Sequence, residues 1–241
     1  DPAKPLVNVV ILSRNSPDAG FRILKSVEHY KLNIAQAMFS QGSDRFRYVS
    51  AVGAQLFLSG NHADVHKAIS NGIAAATITP KETVHQEDPT IKVAFDGDSV
   101  LFGSESDDAF RSLGLEHFIS HEHEKRAIPM QGGPFKDFVM ALKQVQDAFP
   151  VGECPLKLAL VTARGIQSHE RVFTTLRDWG LTLDEVMFCA GTAKGPILKA
   201  FGADIFFDDT QSNLRSALDH DIASGHVPFG TGGIPGGPGG H

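Results

Sequence analysis

Cysteine is almost missing from this chain: Cys154 and Cys189 are the only two in 241 residues. So small a supply excludes a disulfide-stapled scaffold and fits a reducing compartment, and a cytoplasmic location is expected. Long apolar runs are missing as well. None reaches the roughly 18 residues that span a bilayer, and no signal-peptide pattern opens the chain, so no membrane is expected as partner. Positive charge is in deficit, with 22 Lys and Arg against 28 Asp and Glu for a net charge of −6. That balance argues against nucleic acid as the main partner. Histidine is plentiful at 11 residues, yet residues 117–123 lack the His-Glu-x-x-His order of a zinc helix. His117 and His121, at i and i+4, leave open a metal pair and a solvated helix face. Apolar material is ordinary: 41% hydrophobic and 21% charged residues describe a globular protein with a sizeable core.

The stretch Ile91-Lys92-Val93-Ala94-Phe95-Asp96-Gly97-Asp98-Ser99 organises the rest. Its apolar run reads as a strand covered on both faces, since such strands are continuous rather than alternating in pattern. It stops at two carboxylates one residue apart. Ligands of open α/β sheets collect beyond the carboxyl ends of the strands, which is where Asp96 and Asp98 fall. An acidic turn closing a strand is the other reading of these residues alone.

Periodicity places strands at 6–12, 35–40, 55–58, 73–78, 156–161, 185–189 and 203–207. Helices are expected over 20–30, 47–52, 63–71, 134–148, 168–179, 196–201 and 212–220, with one or two more in the polar segment 103–133. Residues 79–90 read as a linker, and the Gly/Pro tail from 230 is expected to be disordered. The chain also repeats itself. Ser13 and Thr162 lie 149 positions apart, and the same offset pairs Arg22 with Arg171, Met38 with Met187, Gly42 with Gly191, Arg45 with Lys194, Gly53 with Gly202 and Phe57 with Phe206. The copies differ where chemistry is expected: Asp208-Asp209 stands opposite Ser59-Gly60, and nothing before Leu6 matches Asp96-Gly97-Asp98. The first copy thus lacks its opening strand, and a chain trimmed from something longer is expected.

Four expected strand ends present Asp96/Asp98, Thr162, Lys194 and Asp208/Asp209 in order. Each suits one part of a phosphoryl transfer: a carboxylate nucleophile, a second carboxyl as acid and base, and a hydroxyl and an ammonium for the phosphate oxygens. Several carboxylates converging on one point imply a hard cation, and Mg²⁺ suits oxygen ligands.

This order resembles the haloacid dehalogenase superfamily of phosphatases. A narrower resemblance rests on Phe95-Asp96-Gly97-Asp98-Ser99-Val100-Leu101-Phe102, Leu160-Val161-Thr162-Ala163-Arg164, Lys194-Gly195-Pro196-Ile197-Leu198 and Phe206-Phe207-Asp208-Asp209, with Ser13-Arg14-Asn15-Ser16-Pro17-Asp18 and Phe57-Leu58-Ser59 in the first copy. These are similar to the cytosolic 5′-nucleotidase I family. The resemblance implies an α/β, three-layer Rossmann-like haloacid dehalogenase fold. It assigns a degenerate repeat to 1–90 and a catalytic core to 91–229, with a small cap inserted at about 103–133. It implies Mg²⁺-dependent hydrolysis of nucleoside 5′-monophosphates, AMP among them, with Asp96 as nucleophile and Asp98 as acid and base. Thr162, Ala163 and Lys194 would bind phosphate. Asp96, the Asp98 carbonyl and the Asp208-Asp209 pair would hold the ion, Asp209 being favoured of the two. A phosphatase of another small phosphomonoester, and a nucleotide-binding regulator without turnover, are the alternatives.

Other residues keep two readings each. Phe102, Phe135 and His117 are candidates to stack a base, or are packing residues. Arg164 would reach a phosphate or ribose, or form a surface salt bridge. Arg14 and Arg45 would bind a regulatory nucleotide, or belong to a scaffold or subunit interface; self-association stays open. Trp179, Tyr30, Met38 and Met187 read as packing residues.

Overall fold

Ser16 accepts the backbone amide of Ala19 at 3.2 Å and Pro17 fills the first helical position, so α1 (Pro17–His29) starts directly after strand β1 (Val10–Ser13). Strand β2 (Gln36–Phe39) pairs parallel with β1, and α2 (Phe46–Ala51) follows. A Cβ on Gly20 would lie 2.7 Å from the Phe39 ring, so glycine lets α1 lie on β2. This computed structural model describes residues 5–44, 46–81 and 89–229. Arg45, most of the 79–90 linker and the tail from 230 lie outside the described residues.

The chain divides into two units after Ala54. The first holds the two-stranded β1–β2 sheet. The second begins with β3 (Leu56–Ser59), α3 (His62–Ser70), β4 (Ala74–Thr79), β5 (Ile91–Phe95), α4 (Glu105–Glu124) and α5 (Lys136–Asp147). It continues with β6 (Leu156–Thr162), α6 (His169–Asp178), β7 (Glu185–Phe188), α7 (Lys194–Phe201), β8 (Ile205–Asp208), α8 (Gln211–Leu218) and β9 (Ala223–His226). Its sheet runs β3-β4-β9-β8-β5-β6-β7 and is parallel except between β4 and β9. The expected boundary near residue 90 falls between β4 and β5, two strands of this one sheet. β3 and β4 are hydrogen-bonded into the same sheet as the strand that ends at Asp96.

Alternation along the central strands sorts two apolar cores to opposite faces. Phe95, Leu158, Leu160 and Phe207 pack with Val139 of α5 and Val172 and Leu176 of α6. Ala94, Ala159, Val161 and Phe206 pack with Leu198 and Phe201 of α7 and Leu214 and Ala217 of α8. Strands buried on both sides account for the continuous apolar run at 93–95. The polar segment 103–133 carries α4, two helical stretches that break at Gly114, whose φ of 81° is open to glycine.

The 149-residue repeat extends to the backbone. Shifted by that offset, β2 falls on β7 and β3 on β8 residue for residue. Left-handed positions recur in register too: Lys31 with Gly180, Gln41 with Ala190, Gly42 with Gly191, Gly53 with Gly202 and Gly72 with Asp221. Five shared positions in four turns show the same connections used twice. Thr77 of β4 and His226 of β9, themselves 149 apart, are partners across the antiparallel seam. That pair lies on a local two-fold relating β3–β4 to β8–β9. Strand β9, Ala-Ser-Gly-His, was not expected, because it offers no apolar run. A Cβ on its Gly225 would lie 2.5 Å from the Phe207 ring, so a small residue is needed there, and only the repeat signals the strand.

Candidate active site

β5 lies between β6 and β8, and the Asp96 amide donates to the Phe207 carbonyl at 2.8 Å. Asp96 and Asp208 are thereby fixed at the carboxyl ends of adjacent parallel strands. Lys194, at the start of α7 and 1% exposed, sends its Nζ between them, 2.6 Å from Asp96 Oδ1 and 2.7 Å from Asp208 Oδ2. Gly97 N donates to the same Oδ1 at 2.7 Å, and Asp96 Oδ2 accepts no hydrogen bond among the described residues. Asp208 also accepts from Thr210 N at 2.7 Å and from Asn213 Nδ2 at 3.0 Å, so its carboxylate is saturated by donors. Asp209 stands beside it, and one oxygen each of Asp96, Asp208 and Asp209 lie within 4.8 Å of one another.

Two of the three buried carboxylates, Asp96 and Asp208, share one ammonium, and Asp209 stands beside them. Burial, with Asp208 and Asp209 adding to it against Lys194, holds Asp96 well above the usual carboxylate range. Burial alone would pull Lys194 down, but Asp96 and Asp208 outweigh it and keep the ammonium charged. Such a cluster fits a hard divalent cation: all donors are oxygens, charge is left over, and the spacing is about twice a metal–oxygen distance. With Asp208 saturated, Asp96 has an oxygen to offer, and Asp209 stands within the same cluster.

Thr162, fully buried, faces the same turn: a Cβ on Gly97 would lie 3.0 Å from its Oγ1. Its carbonyl accepts from Cys189 N at 2.9 Å and the carbonyl of exposed Ala163 accepts from Gly191 N at 3.0 Å, tying the end of β6 to the loop that carries Lys194. Within the turn Gly97–Leu101, Ser99 takes a left-handed φ of 63°, the strained point of the loop after Asp96. His226 was missed by the sequence reading. Burial pushes its imidazole below the ordinary value, so the neutral ring donates from Nε2 to the Asp209 carbonyl at 3.1 Å, bracing the Asp208-Asp209 loop from the two-fold strand.

The base-stacking candidates separate from the site. Phe102 and Phe135 have no exposed surface; Phe102 packs 5.7 Å from Trp179 and Phe135 packs 4.9 Å from Phe207. A ring enclosed on both faces offers none to a ligand, so the packing reading holds for both. His117 is exposed on α4. His121 turns instead to Glu105 at 3.5 Å, and no metal cluster other than the three aspartates exists among the described residues. Arg14 is exposed, and Arg45 lies outside the described residues.

Arg164 is corrected in a different way. It forms no surface salt bridge, being 4% exposed. Its Nε and Nη2 donate to the two oxygens of Asp98 at 2.8 and 2.7 Å, and its Nη1 donates to Glu122 of α4. Glu122, 1% exposed, also accepts from Ser106 Oγ at 2.8 Å and Arg171 Nη1 at 2.9 Å, and Arg171 reaches Glu105 at 2.9 Å. Asp98 and α4 are thus joined by a buried chain of alternating charge. Glu122 and Arg171 escaped sequence reading because their partners are 42 and 49 residues from them.

The bond to Lys125, with Arg171 helping, brings Glu105 down to about 2 from an ordinary 4.5. A lowered carboxylate stabilises the fold above its unfolded value and loses that contribution as pH falls from 4.5 towards about 2. Glu105→Gln is therefore expected to flatten the acid limb of the stability curve in that window, read by urea unfolding against pH. The effect is modest because the Glu105 side chain is 42% exposed.

The fold gathers three buried aspartates at the carboxyl ends of adjacent parallel strands, a donor set that could hold a divalent cation. A family model described as 5′-nucleotidase matches residues 1–233, and the chain belongs to the 5′-nucleotidase family. It is 36% identical over 218 residues to human cytosolic 5′-nucleotidase 1B, a match covering 88% of this chain and 36% of that protein. The chain thus spans about a third of the length of that relative. No helix among the described residues is long and apolar enough to cross a membrane.

Proposed function

We propose that this chain hydrolyses nucleoside 5′-monophosphates, AMP among them, to nucleoside and phosphate in the cytosol. The catalytic unit is read as a haloacid-dehalogenase-type fold, with 103–133 as its cap. The observation that carries the reading is the geometry of Asp96: one oxygen pinned by Lys194 and Gly97 N, the other unbonded, beside Asp209. Family membership supplies the nucleotide.

Asp96, Asp209 and the Asp98 carbonyl would hold Mg²⁺, which when bound offsets charge on the phosphate oxygens. Asp96 Oδ2 attacks phosphorus as the bond to the nucleoside O5′ breaks, and Asp98 gives its proton to that oxygen. Thr162 Oγ1, backbone amides near Ala163 and Lys194 Nζ hold the equatorial phosphate oxygens. Asp98 then takes a proton from the water that attacks phosphorus. The bond to Asp96 breaks, phosphate leaves and the carboxylate is restored.

Phosphate release by the intact chain from AMP, other nucleotides and sugar phosphates, with Mg²⁺ or with EDTA, tests this. Expected are Mg²⁺-dependent release and preference for nucleotides. A sugar-phosphate preference would reassign the substrate. No Mg²⁺-dependent release from any ester would overturn the reading.

A further inference from the structure

Both oxygens of Asp98 are bonded to Arg164, while the proposed chemistry needs one of them at the leaving oxygen. Asp98 must therefore exchange Arg164 for substrate during turnover. A guanidinium that loses its only counter-ion in a buried site is strongly unfavourable. Arg164 does not lose its only one, because Glu122 remains on Nη1. Glu122 is itself held in place by Ser106 and Arg171, with less than 1% of its side chain exposed.

We infer that Glu122 is a positioning residue for the leaving-group step: by keeping Arg164 neutralised within the protein, it lets the Asp98 side chain depart to the substrate. The inference rests on the phosphatase reading above. It gives α4 a task beyond covering the site, since the helix carries the counter-charge that the acid and base residue must leave behind. Arg164 has its Nε and both Nη atoms engaged, with a further contact to Met130 Sδ at 3.2 Å, and is assigned to this exchange rather than to phosphate.

Leaving-group dependence tests it. The 5′-alkoxide of AMP is a poor leaving group and needs the Asp98 proton, whereas p-nitrophenolate departs without one. kcat/KM reports the first irreversible step for each ester. Glu122→Gln is nearly isosteric but uncharged. It is expected to lower kcat/KM for AMP by about tenfold or more while leaving p-nitrophenyl phosphate within about twofold. Glu122→Asp, which keeps the charge, is expected to recover most of the AMP rate. Should Glu122→Gln not fold, Ser106→Ala, which only loosens Glu122, carries the same comparison with a smaller selective loss. Equal losses on both esters, or none on either, would overturn the inference. Its failure is distinct from failure of the parent reading: in the first case the unaltered chain still hydrolyses AMP with Mg²⁺, in the second it hydrolyses neither ester.

Discussion

Replacing Asp96 by Asn is expected to lower phosphate release from AMP by roughly 10³-fold or more, since an amide cannot take the phosphoryl group and no other route to the intermediate exists. The residue is 6% exposed, and its backbone amide, not its side chain, fixes the β5–β8 register at the Phe207 carbonyl. The fold is therefore expected to survive. Stability should hold or rise in EDTA, because the substitution removes one of three buried carboxylates that crowd one another, two of them on a single ammonium. Loss of turnover with an unchanged or raised unfolding midpoint is the diagnostic pair. Retained turnover would remove Asp96 as nucleophile, and turnover lost together with the fold would make its role structural.

How much of this site could be read from the chain depends on how local each signal is. The strand before Asp96 was legible because burial on both faces leaves a continuous apolar run. Lys194 and Asp208 were legible because each lies at the junction of two elements. The sequence did not show that Lys194 reaches both Asp96 and Asp208, or that Asn213 and Thr210 saturate Asp208. Those depend on strand order, and β8 and β5 are neighbours although β6 and β7 lie between them in the chain. Arg164 was noticed for its place after Thr162, but its partner on α4 is set by how that helix folds back. The repeat was legible in residues, and its consequence, a two-fold seam at Thr77 and His226, required the pairing register. That β3 and β4 join the sheet of β5 was hidden for the same reason, since strand pairing rather than sequence order decides which strands lie together.

The second large effect falls on Lys194. Its ammonium is fully enclosed, 2.6 Å from Asp96 and 2.7 Å from Asp208, with the Phe206 ring 5.3 Å away. Lys194→Met fills a similar volume but leaves buried carboxylates without their cation, an imbalance that typically costs about 3–5 kcal/mol. Urea unfolding in EDTA should show that loss, and excess Mg²⁺ should recover part of it by supplying positive charge where Lys194 supplied it. Adding Asp208→Asn to Lys194→Met should recover part of that stability independently of the ion, because the amide oxygen still accepts from Thr210 N and one buried carboxylate fewer is left without a cation. Activity should return in neither variant, since the phosphate oxygens still lack the ammonium. A Lys194→Met protein as stable in EDTA as the unaltered chain would mean that the three aspartates are not charged together. The charge argument for a cation at this site would fall with it.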